Sequence, residues 1–172
     1  MEWVAAVVGL IGLGYARYLS SYVMKQKEGT ARMAEISTAI RQGARAFLRR
    51  EFRWLGLFAV AMFFILWKIV SMGGALAYVF GTFTSALAAY LGMSIATRAN
   101  ARTAHAAVSS YATALKTAYS SGGVMGFSVV GLGLFGLVLV YLLSGSEKVW
   151  LSYAFGASSV ALFLRVGGGI FT

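Results

Sequence analysis

VWLSYAFGASSVALFLRVGGGIFT, residues 149–172, is apolar for most of its length yet carries Arg165 close to its far end. A run of this length is enough to cross a hydrocarbon core of about 30 Å. An Arg inside hydrocarbon costs roughly 2.5–3.5 kcal/mol on insertion scales, so it calls for a partner, a polar cavity or room to snorkel. Gly167, Gly168 and Gly169 follow it and remove the side chains that would hold off another helix, backbone or ligand. The stretch reads as a membrane helix with one charged side chain to be accounted for.

Four further apolar runs precede it, at about residues 3–24, 54–70, 75–97 and 122–143. The expectation is an all-α membrane protein of five transmembrane helices, forming a single membrane domain over residues 1–172. The longer connections, about 25–53 and 98–121, hold most of the basic residues. The first has Lys25, Lys27, Arg32, Arg41, Arg45, Arg49, Arg50 and Arg53, the second Arg98, Arg102 and Lys116; the opposite side has only Lys68 and Lys148. By the positive-inside rule both connections are cytoplasmic and the N-terminus lies outside. Ser71, Met72, Gly73 and Gly74 predict a short turn that makes the second and third spans antiparallel neighbours. Gly122 with Gly126, and Gly131, Gly133 and Gly136, predict a thin packing surface on the fourth span.

Composition narrows the chemistry. The chain is 59% hydrophobic and 12% charged, with 21 Gly and no Pro or Cys. This excludes disulfides and thiolate metal sites. Its net charge of +10 is better explained by cytoplasmic bias than by nucleic acid, because the basic residues sit between apolar runs. Asp is absent, and Glu2, Glu28, Glu35, Glu51 and Glu147 are too scattered to predict a metal centre. His105, Ser158 and Ser159 do not amount to a nucleophile and base, since no third group or nucleophile elbow accompanies them.

Met33, Ile36, Ile40, Ala44 and Phe47 recur at helical spacing, so an amphipathic helix is expected within 25–53. Arg41, Arg45, Arg49 and Arg53 share one of its faces, either as a surface for phosphate and lipid head groups or as an interfacial anchor. Arg165 lies about 24 Å along its span, in the cytoplasmic third. Ser158 precedes it by two turns on the same face, with Phe155 or Leu162 between them. Two readings stand: an ion pathway awaiting a carboxylate, or an Arg that snorkels while Ser158 bonds its own helix.

Four separated motifs carry a resemblance. GTARMAEISTAIRQGARAFLRREF (29–52), LGMSIATRANARTAHAA (91–107), GGVMGFSVVGLGLFG (122–136) and FGASSVALFLRVGGGIFT (155–172) together resemble the N-terminal portion of the membrane-integral pyrophosphatases. These hydrolyse inorganic pyrophosphate to pump H⁺ or Na⁺. The resemblance implies the first five of about sixteen helices in each subunit of a homodimer. It implies that Arg165 belongs to the ion gate and that Ser158 belongs to the ion site of Na⁺-pumping members. It also implies a lipid bilayer as surroundings, of a prokaryotic plasma membrane or a vacuolar or acidocalcisome-type membrane. Mg²⁺, and in some members K⁺, would serve the whole enzyme. The family's Lys and Asp-rich stretch follows this motif, so the expectation is a fragment without catalytic or metal-binding residues, dependent on the remainder of the pyrophosphatase chain. The alternative is a small, non-enzymatic membrane scaffold that oligomerises through its Gly faces.

Overall fold

A computed structural model describes residues 2–168 with their side chains and carries the backbone of the last helix to Phe171. It consists of α1 (Glu2–Lys25), α2 (Ala31–Ile69), α3 (Met72–Ser109), α4 (Tyr111–Ser144) and α5 (Glu147–Phe171). All five are long and apolar enough to cross a membrane, and the protein is a multi-pass, all-α bundle. The surroundings of Gly169 and the whole of Thr172 lie outside the described residues.

Hydropathy separates the basic stretch before residue 53 from the apolar one after it, but the backbone does not. α2 is one helix of 39 residues, about 58 Å long against a core of about 30 Å. A helix satisfies its own backbone hydrogen bonds in either solvent, so leaving the bilayer requires no break. No proline enforces one, and an isolated Gly43 or Gly56 costs only about 1 kcal/mol. In the same way α3 runs past Thr97 to Ser109 and α4 starts at Tyr111, leaving a single residue between them.

The joints are set by small polar residues. Thr30 caps α2 by accepting from the Met33 N–H at 3.3 Å, after Gly29 has turned the chain at φ +92°. The turn expected over residues 71–74 is tighter than that: Met72, Gly73 and Gly74 are already helical, and the Ser71 hydroxyl accepts from the Gly74 N–H at 3.1 Å. Ser110 serves two helices. Its N–H donates to the Ala106 carbonyl at 2.9 Å, closing α3, while its hydroxyl accepts from Thr113 N–H at 3.3 Å, opening α4.

α3 is central, packed on α2, α4 and α5, and α1 joins the bundle through α4. Helices in lipid gain little from hydrophobicity, so small residues and cross-helix hydrogen bonds decide where they touch. Gly81 of α3 faces the Tyr153 carbonyl of α5, and Gly156 of α5 faces the Tyr78 carbonyl of α3. Around this crossing Tyr78, fully buried, donates to Ser159 Oγ at 3.3 Å, and Ser85 donates to the Ala157 carbonyl at 3.1 Å. The Tyr153 ring lies on Gly136 of α4, with its hydroxyl 3.1 Å from Thr84 Oγ1 and 3.2 Å from the Leu132 carbonyl. On the other side Gly9 of α1 meets Gly131 of α4. Gly122, Gly126 and Gly133 have no atom near the position a Cβ would take, so the glycine surface expected on α4 narrows to Gly131 and Gly136.

Candidate functional site

α5 has two unlike faces. Ser152, Tyr153, Gly156, Ser159 and Val160 are buried against its neighbours. Phe155, Ser158, Leu162, Arg165 and Val166 are exposed, and they follow each other at helical spacing. The helix therefore places Ser158 and Arg165 on one open stripe. Arg165 makes no ion pair or hydrogen bond among the described residues. Of the neighbouring pair Ser158 and Ser159, it is Ser159 that bonds its own helix, donating to the Phe155 carbonyl at 2.9 Å.

Of the two glycines after Arg165 whose surroundings are described, Gly167 has a crowded neighbour and Gly168 does not. A Cβ there would overlap the Glu51 carboxylate of α2. Phe58 and Phe163, with ring centres 5.3 Å apart, join α2 to α5 one or two turns away. At Gly167 the group that approaches is a side chain of the same protein, and it is a carboxylate. That carboxylate sits over Gly167 and not on the guanidinium of Arg165, whose stripe is a different face of the helix.

A second polar centre ties the basic ends together. Arg102 of α3 is only 7% exposed. Its guanidinium donates to Glu28 at 2.9 Å, to the Gln26 carbonyl at 3.0 Å and to the Arg98 carbonyl at 2.7 Å. Arg41 of α2 reaches the same Glu28 oxygen at 3.5 Å. One carboxylate from the 26–30 linker is therefore shared by two helices. Sequence reasoning passed over this centre, because nothing links Glu28 to a residue 74 positions away. A faint signal existed: with 15 cations to five carboxylates, any Glu among Arg residues is in demand.

Among the described residues no three His, Cys, Asp or Glu lie together. Glu28 is engaged by Arg102 and Arg41, and Glu35 by Arg32 at 2.7 Å. These groups do not fit a Mg²⁺ site, which requires oxygen ligands converging on one point. His105 lies beside Gly29 at the linker, whereas Ser158 and Ser159 belong to α5, so the structure assembles no Ser–His pair from them.

Comparison with known proteins places these helices. The sequence profile of the inorganic H⁺ pyrophosphatase family matches residues 10–172. The chain is 44% identical over 169 residues to a putative K⁺-stimulated pyrophosphate-energized sodium pump of Clostridium tetani, covering 98% of this chain and 25% of that protein. It is 39% identical over 170 residues to a K⁺-insensitive pyrophosphate-energized proton pump of Methanosarcina mazei, again covering 98% and 25%. With the K⁺-insensitive proton pump of Streptomyces coelicolor the identity is 40% over 194 residues, covering 98% and 24%. The chain spans about a quarter of the length of the curated relatives it matches. With a profile match running through all five helices and relatives of this identity, the chain belongs to the inorganic H⁺ pyrophosphatase family.

Proposed function

We propose that this chain forms the N-terminal five helices of a pyrophosphate-energised H⁺ or Na⁺ pump, with Arg165 lining the ion path. The observation that carries the reading is the divided surface of α5: one face locked onto α3 through Gly81 and Gly156, the other leaving Ser158 and Arg165 exposed among the described residues. A guanidinium stays charged at any physiological pH. In an ion path it repels cations until an acidic group neutralises it, which is the behaviour of a gate. Residues beyond this chain would supply that group, the Mg²⁺ ligands and the hydrolytic chemistry, and a homodimer of such subunits would be the working unit. The N-terminus would be outside, with the basic ends of α2, α3 and α4 in the cytoplasm of a prokaryotic cell.

The test replaces the matching N-terminal quarter of the Methanosarcina mazei proton pump with this chain and assays inverted membrane vesicles. We expect pyrophosphate-dependent acidification from the chimera, and none from Arg165→Ala present at equal level in the membrane. The chain by itself should release no phosphate from pyrophosphate. Hydrolysis by the chain alone, or full transport by Arg165→Ala, would overturn the proposal.

A further inference from the structure

α1 and α3 both lie along α4 and scarcely touch each other. A groove of about 360 Å³ opens between them, with α4 as its floor. Its polar lining is Arg17 and Ser20 from α1, Ser94 and Arg98 from α3, and Ser128 on the α4 floor. Its apolar lining includes Leu13 of α1 and Leu91 of α3. The two sets are ordered alike on both helices. Leu13 precedes Arg17 by one turn and Leu91 precedes Arg98 by two, so the apolar part lies about 6–10 Å further from the basic end. That end is fixed by Arg102, which joins the last part of α3 to the linker leaving α1.

Charge in the groove is unbalanced. Neither Arg17 nor Arg98 has an ion-pair partner among the described residues, and Glu28, the carboxylate at this end, is held by Arg102 and Arg41. The hydroxyls of Ser20 and Ser94 also make no hydrogen bond among the described residues, which leaves them as donors. Two guanidinium groups and two hydroxyls around one opening suit the oxygens of a phosphate. The apolar continuation toward the bilayer interior suits what hangs from it.

We infer that the α1–α3 groove binds an anionic phospholipid, with its phosphate between Arg17 and Arg98 and the start of an acyl chain along Leu13 and Leu91. A basic pocket between membrane helices on the cytoplasmic side is where such head groups are held. A covering helix would fill the apolar part but would need its own carboxylate to neutralise the two cations, whereas a phospholipid brings charge and chain together. The inference rests on the bundle lying in a bilayer and is independent of pumping.

The test is native mass spectrometry of the 172-residue chain in detergent, titrated with phosphatidylglycerol or with phosphatidylcholine of the same acyl chains. We expect the first phosphatidylglycerol to bind about 30-fold more tightly, since each basic group near the surface contributes about fivefold. Arg17→Gln, at an exposed position, and Arg98→Gln should each cut that preference to about fivefold, while Lys148→Gln, at the opposite end of the bundle, leaves it intact. Leu91→Trp fills the deeper part and should weaken both lipids without touching the charges. Equal affinity for the two lipids would overturn the inference. So would displacement of the lipid by millimolar inorganic phosphate or pyrophosphate, which would make this a site for soluble anions, or loss of preference in Lys148→Gln alone.

Discussion

A methyl group added at Gly81 would run into the Tyr153 carbonyl, and one at Gly156 into the Tyr78 carbonyl. Both obstacles are backbone of the facing helix, so neither can rotate away. Gly81→Val and Gly156→Val should each destabilise the bundle by roughly 1–3 kcal/mol, read as a lowered unfolding midpoint in detergent. Gly126→Ala and Gly133→Ala should leave the midpoint unchanged or slightly raised, because a Cβ there meets open space and Ala is the better helix former. This contrast marks the limit of reading glycines from sequence. Spacing identified a glycine-rich face on residues 122–136, yet of the five glycines it singled out, Gly131 and Gly136 use their smallness against another helix, and Gly123, which it passed over, does so against Leu19 of α1. Gly9 and Tyr153, which select Gly131 and Gly136, are remote in sequence, and so are the carbonyls that Gly81 and Gly156 face. Arg165 was legible for the opposite reason: a charge in an apolar run is conspicuous without any knowledge of its surroundings.

At the scale of elements, the short linker 26–30 is held by Glu28, and Glu28 is held mainly by Arg102. Removing the guanidinium leaves the carboxylate with the longer contact to Arg41 and deprives the Gln26 carbonyl of a donor. Arg102→Ala should cost about 2 kcal/mol, visible as a lower melting temperature in detergent and as faster proteolysis at Lys27. Arg102→Lys should recover only part of this, since one ammonium cannot reach Glu28 and two backbone carbonyls at once. The five apolar stretches could be read directly because each is a membrane thickness of hydrophobic residues. Where the helices end could not. Hydropathy reports the boundary between lipid and water, and α2, α3 and α4 cross that boundary without interruption. The caps at Thr30, Ser71 and Ser110 are ordinary helix starters, but in this sequence Ser and Thr occur equally inside the helices.

For the whole molecule, the distribution of unbalanced cations predicts a direction of insertion that labelling can test. The chain contains no Cys, so single substitutions report sidedness cleanly. In intact cells a membrane-impermeant maleimide should label Ser144→Cys, at the exposed α4–α5 turn, and should label Ser109→Cys only after permeabilisation. The reverse pattern would place the N-terminus in the cytoplasm. Within the bundle, the joint at Ser110 has a mechanical meaning. One residue, hydrogen-bonded into the helices on both sides, stores no slack. A tilt imposed on α3 by movement of α5 must swing α4, and α1 rides on α4 through Gly9 and Gly131. The four helices act as a lever with a stiff elbow, so a displacement at the Arg165 end of α5 would be felt at the first residues of the chain.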